Sequence, residues 1–96
     1  MFILSLTYIA PLELADRHMD AHMEWVRAGY EGGVFLASGR KVPRTGGVIL
    51  ARGERTTIDE MCAADPFVVH SIARYDITEV AFTTAAQGFE ALKAQP

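Results

Sequence analysis

Residues 16–30, DRHMDAHMEWVRAGY, read as one amphipathic helix, and the reading of the fold starts from it. Residues three and four apart share a helix face, so His18, His22, Trp25 and Val26 fall along a single stripe. Asp16 is placed to cap the start of this helix, and Gly32-Gly33 to end it with a left-handed exit. Strands covering the apolar side of the stripe would leave its imidazoles beside the polar groups of neighbouring loops.

On the amino-terminal side, Phe2 to Ala10 is rich in aromatic and β-branched residues and is stopped by Pro11, which marks a strand. Both alternating sets of that strand are largely apolar: Phe2, Leu4, Leu6 and Tyr8 on one side, Ile3, Thr7 and Ile9 on the other. Such a strand expects cover on both faces. On the other side come a strand at Val34–Ser38, a Gly/Pro-rich loop at Gly39–Gly46 (GRKVPRTG) and a strand at Gly47–Arg52. Thr57-Ile58-Asp59-Glu60 has the spacing of a capping box and predicts a short helix from Ile58. It stops at Asp65, which Pro66 pushes out of the helical region; Asp65 then caps a further helical turn. Ile72–Phe82 is the last strand, with a slip of the alternation at Val80 and Phe82 that a bulge would explain. Residues Ala85–Ala94 are weakly helical.

The order is β-α-β-β-α-β, which predicts an α+β, ferredoxin-like protomer with a four-stranded antiparallel sheet. Two helices cover one face of that sheet only. The apolar second set of the first strand would then be wet, so a homodimer, sheet against sheet, is expected.

The bulk numbers narrow the function. Ninety-six residues make one domain, with a core at about 2–82 and a tail at 83–96. Half the residues are hydrophobic and 22% are charged, which excludes a disordered chain. A net charge of −3 offers no basic face for nucleic acid. The start, MFILSLTYIAP, lacks the cationic flank and cleavage site of a signal and is too short to cross a bilayer, so no membrane partner is expected. A single cysteine, Cys62, leaves no internal disulfide, and a cytoplasmic location is expected.

His22 is the first candidate for chemistry, since an imidazole both accepts and donates protons near neutrality. Asp65 lies at the end of the second helix, which packs beside the first; a carboxylate on one ring nitrogen would fix the tautomer and free the other nitrogen. Against this stand two plainer readings: a histidine bonded into the core, and an ordinary Asp-Pro helix cap. His18 and His22, at i and i+4, have the spacing of paired metal ligands, with Asp65 or His70 as a third. The helix has no glutamate beside the first histidine, as a metalloprotease motif requires, and no metal is assigned. Cys62 has no basic neighbour within four residues and reads as a buried spectator. Arg40, Lys41 and Arg44 crowd the loop before Gly46-Gly47, where a carboxylate or phosphate finds cations and close backbone. Trp25, Phe67 and Tyr75 are expected to line the pocket.

The set of His22 on its helix, the strand ending in Ser38-Gly39, PRTGGVIL at 43–50, Asp65-Pro66-Phe67 and ARYDITEV at 73–80 resembles the YCII-related (YciI-like) family. No one piece is specific, but the order of the set is. The resemblance implies a dimeric α/β barrel of ferredoxin-like protomers. It also implies a site on a histidine and an aspartate, at His22 and Asp65, with Ser38 and Gly39 as part of its wall. Where many relatives have proline after Ser-Gly, this chain has Arg40. The wider superfamily includes isomerases, lyases and monooxygenases acting on small ring compounds, an analogy at the level of the fold.

Two function classes lead, with a metal-binding site at His18 and His22 as a third reading. One is an enzyme without a cofactor, in which His22 moves a proton on a small anionic compound, Asp65 orients it, and Arg40 or Arg44 holds the anionic group. The other is a non-catalytic ligand-binding or accessory dimer whose His–Asp pair ties two helices together.

Overall fold

The structure, a computed structural model, describes residues 1–93. β1 (Phe2–Tyr8) leads through α1 (Leu12–Arg17) and α2 (Met19–Glu31) to the hairpin of β2 (Phe35–Arg40) and β3 (Gly46–Ala51). Then come α3 (Arg55–Ala64), α4 (Pro66–Val69) and β4 (Ala73–Glu79), with a single 3-10 turn at Glu90–Leu92. The sheet is antiparallel throughout, in the order β2-β3-β1-β4. This is the expected α+β, ferredoxin-like arrangement.

The alternation of β1 assigns the faces. Phe2, Leu4 and Leu6 are buried under the helices, while Ile3, Ser5 and Thr7 are half-buried on the opposite face. Register extends this across the sheet. Leu6 lies between Gly47 and Tyr75, and Leu4 between Ile49 and Ile77, so all of these face the helices. The opposite face is less apolar than expected. Ile3, Val48 and Leu50 share it with Ser5, Thr7, Arg74, Asp76 and Thr78. Two buried clusters fill the space beneath the helices. One gathers Phe2, Leu4, Phe35, Ile49, Ile58 and Cys62, the other Leu6, Ala15, Phe67, Ile72 and Ala73. Tyr75 packs against both.

Several local expectations are corrected. The helical segment begins at Leu12, not Asp16: Pro11 sets a φ of −58° and its carbonyl accepts the Leu14 amide at 3.0 Å. The segment also breaks at His18 into two helices, and Asp16, in the last turn of α1, takes Arg44 Nη2 at 2.7 Å instead of capping. α3 begins at Arg55, three residues before the expected start at Ile58, so Thr57 sits inside it; Arg55 and Asp59 pair at 3.0 Å along the helix. β2 runs on to Arg40, which shortens the cationic loop to residues 41–45. β4 ends at Glu79, opposite Phe2, with the Val80 amide still donating to the Met1 carbonyl at 2.8 Å; the slip at Val80 is a strand end. The bulge lies in β2, between Phe35 and Ala37. In the tail only Glu90–Leu92 turns helically, and Ala94 lies outside the described residues. The left-handed exit from α2 is present, at Gly33 with φ +73°.

Gly29 shows how tightly α2 sits on the sheet. A Cβ placed there would meet the Phe35 ring at 2.1 Å, and that ring is buried and has no space to retreat. Gly29→Ala should therefore cost about 2 kcal/mol through overpacking, against a gain of up to ~1 kcal/mol expected from helix propensity alone. Urea denaturation of the two proteins reads the difference.

Candidate active site

The site is built where α2 and α4 meet above β1 and β4. Asp65 is the N-cap of α4, and Pro66 at the first helical position leaves the Phe67 amide as the donor to be capped. Asp65 Oδ1 accepts that amide at 2.9 Å. The same oxygen lies 2.8 Å from His22 Nδ1, across from α2, and Oδ2 accepts the Tyr75 hydroxyl at 2.5 Å from β4. Asp65 is 0% exposed and His22 9%. With an amide and a phenol already donating to it, the carboxylate is the acceptor, so His22 Nδ1 carries the hydrogen and Nε2 is the ring's free nitrogen. The Phe67 ring lies flat on the imidazole, centroids 4.0 Å apart and 5° from parallel.

His22 borders a cavity of about 410 Å³, within the size range of small-molecule sites. From α2 the wall is Met19, His22, Met23 and Val26; from β1 it is Leu6 and Tyr8. Ser38, Gly39 and Arg40 of β2 and residues 46–49 of β3 form the opposite side, and Tyr75 the floor beside Asp65. Gly47 brings no side chain to the helix-facing side between Leu6 and Arg40, and a Cβ there would meet the Gly39 carbonyl oxygen at 2.9 Å. Gly46 is equally constrained, since a Cβ there would meet the Leu6 carbonyl oxygen at 1.8 Å.

Of the residues singled out from the sequence, His22, Ser38, Gly39, Arg40 and Tyr75 stand together at this cavity. Trp25 and Phe67 do not line it. The Trp25 indole donates to the Met61 carbonyl at 3.0 Å and packs on Phe35, and Phe67 is the buried plate behind His22. Arg44 also stands outside the lining, paired with Asp16 and 5.9 Å from the Tyr8 ring centroid; the Asp16 hydrogen bond raises its already high proton affinity. His18 stacks on His70 at 4.2 Å, and among the described residues no three His, Cys, Asp or Glu side chains converge as a metal site. Two groups escaped the sequence reading. Met19 and Met23 flank His22 at −3 and +1, and the Tyr75 hydroxyl joins Asp65. A tyrosine in the core-facing set with Ala73 and Ile77 was the available signal, because a buried phenol needs a partner.

A family model of the YCII-related domain matches residues 1–81. The chain belongs to the YCII-related family. No curated protein matches it. Among solved structures it is similar to 5-chloro-2-hydroxyhydroquinone dehydrochlorinase from Burkholderia phenoliruptrix, in a complex with 2,5-dihydroxybenzoquinone. The TM-score is 0.69 at 13% identity, covering 83% of this chain and 93% of that one. At that identity the likeness is one of fold. Among the described residues no helix is long and apolar enough to cross a membrane.

Two groups near Asp65, the buried Cys62 and the half-buried Tyr75, make stability depend on pH. Burial, followed by the Asp65 and Asp59 charges, pushes the Cys62 thiol from an ordinary 9.0 up to about 12. Burial, then the Asp65 charge, then the hydrogen bond to it, pushes the Tyr75 phenol well above its ordinary 10.0. Both values are higher in the folded than in the unfolded chain. Their contribution is therefore complete below the unfolded values of 9.0 and 10.0 and is lost as pH rises past them. Urea midpoints measured across the alkaline range should fall above about pH 9. The fall should be shallower in Cys62→Ala, and Cys62 should resist iodoacetamide until urea unfolds the chain.

Proposed function

We propose that this protein is a small-molecule enzyme that uses His22 as general base and acid without a cofactor. The observation that carries the reading is the buried Asp65 carboxylate bonded to Nδ1 of an imidazole whose other nitrogen is free beside a cavity. Orientation through Nδ1 fixes the tautomer in which Nε2 takes a proton, and the developing imidazolium is stabilised by the carboxylate behind it. The substrate is a small, anionic and partly apolar compound. Leu6, Met19, Met23 and Val26 provide apolar wall, and Arg40, in register with Gly47 at the cavity edge, provides the cation. Arg44 is already paired with Asp16, which leaves Arg40 as the better anion partner.

The reaction class is proton abstraction leading to isomerisation or elimination. A dehydrochlorinase removes a proton and a chloride together, so the fold-level neighbour supports a single-base elimination as one such reaction. The working form is a homodimer in which a second copy covers Ile3, Val48 and Leu50 on the helix-free face. With one buried cysteine, the chain suits the cytoplasm.

The test is a panel of small aromatic and unsaturated carboxylates and hydroxyquinones, screened first for binding by amide shifts at the cavity and then for turnover. Arg40→Gln should weaken binding of the anionic members by roughly tenfold or more. His22→Gln should keep the binders and lose about 10²–10⁴-fold in kcat. A structural His–Asp pair predicts the reverse: His22→Ala unfolds the protein or dissociates the dimer, and no member of the panel turns over. Light scattering should give twice the mass of one chain, and Val48→Asp should shift the population to monomer.

A further inference from the structure

We propose that Tyr75 is a positioning residue for His22, its hydroxyl holding the Asp65 carboxylate in the orientation that keeps the imidazole hydrogen on Nδ1. This rests on the reading of His22 as the proton-transfer group and adds a third member to the pair.

The hydroxyl is out of place as a packing feature. On the helix-facing side of β4, Tyr75 stands between Ala73 and Ile77 and opposite Leu6, and its ring packs against both apolar clusters. A phenylalanine would fill that volume without burying a polar atom. The phenol makes one hydrogen bond, and its partner is Asp65 Oδ2.

Asp65, for its part, needs only one oxygen to cap a four-residue helix, and a cap usually stands in water, where its second oxygen is solvated. Here the carboxylate is fully buried, and water does not serve that second oxygen. Oδ1 receives the Phe67 amide and His22 Nδ1, both from the helical layer. Oδ2 receives the Tyr75 hydroxyl from the sheet. Donors from two layers fix the plane of the carboxylate, and with it the direction of the lone pair that meets Nδ1. Without the sheet-side donor the carboxylate is held from one side only, and an oxygen is left buried and unpaired.

The phenol is suited to this task because it stays a donor. Burial and the Asp65 charge hold its proton on far beyond neutrality, so the Tyr75–Asp65 hydrogen bond keeps one polarity while His22 gains and loses a proton on Nε2. Tyr75 also borders the cavity, so a bound ligand covers the network and excludes water from it.

The experiment reads the His22 ring by ¹⁵N-¹H NMR on the full chain, with no substrate needed. The unmodified protein should show one tautomer with a slowly exchanging Nδ1–H. In Tyr75→Phe that proton should exchange roughly tenfold faster, the scale of losing one hydrogen bond to a charged group, with a second tautomer emerging. A Tyr75→Phe protein that only melts at a lower temperature, with the His22 signals unchanged, would overturn the proposal. Asp65→Asn separates this from failure of the underlying pair. If Asp65→Asn changes the His22 signals and Tyr75→Phe does not, the pair stands and the role of Tyr75 falls; if neither does, the pair itself falls. Should Tyr75→Phe fail to fold, 3-fluorotyrosine installed at position 75 alone, a stronger donor of nearly the same shape, should shift the Nδ1–H resonance. No shift would equally overturn the proposal.

Discussion

A carboxylate with no exposure to water must receive every hydrogen bond from the protein, and Asp65 receives its own from α2, α4 and β4 at once. Removing any one donor leaves a buried acceptor short, so the position of these three elements relative to one another is tied to that single group. The rest of the site inherits its geometry from this constraint. His22 is aimed by the carboxylate at its edge and by the Phe67 ring on its face, and Phe67 follows Asp65 by two residues on the same short helix. One turn of chain, Asp65-Pro66-Phe67, thus provides the cap, the orienting charge and the stacking plate.

The cavity depends on a second constraint, the absence of side chains. Gly47 sits between Leu6 and Arg40 on the helix-facing side, where a larger residue would enter the space beneath Met23 and Val26. The cation at the edge and the imidazole at the back are then held by different layers, a sheet edge and a helix. The separation of these two elements is set by packing as close as that of Gly29 on Phe35.

Much of this was legible in the order of residues. Pro11, Gly32-Gly33 and Asp65-Pro66 punctuate the chain by local sterics, and local sterics are encoded locally. His22 and Asp65 stood out because their chemistry differs from that of their surroundings, and the two are 2.8 Å apart. Some of the misjudged boundaries were set by a partner far along the chain and others by a competing local signal. Asp16 turns to Arg44 instead of capping and the β1·β4 ladder ends at Phe2–Glu79, whereas Thr57 is absorbed by a helix that starts earlier, along the local Arg55–Asp59 pair.

The division between chain and fold is clearest along α2. Spacing alone determined that His22 shares a helix face with apolar neighbours, and hence that it is half-sheltered. It did not determine which neighbours look into the cavity, because a stripe is wide and its two edges face different elements. The packed structure turns Met19, Met23 and Val26 to the cavity, Trp25 to the Met61 carbonyl on α3, and His18 to His70. In the same way the sequence by itself determined the α+β order of elements and the chemistry available to them. Only the tertiary structure decided that the Tyr75 hydroxyl, which lies ten residues beyond Asp65 on a different element, closes the hydrogen bonds of that carboxylate. Periodicity reports the face on which a residue lies, whereas the partner of a buried polar group is fixed by the meeting of separate elements in space.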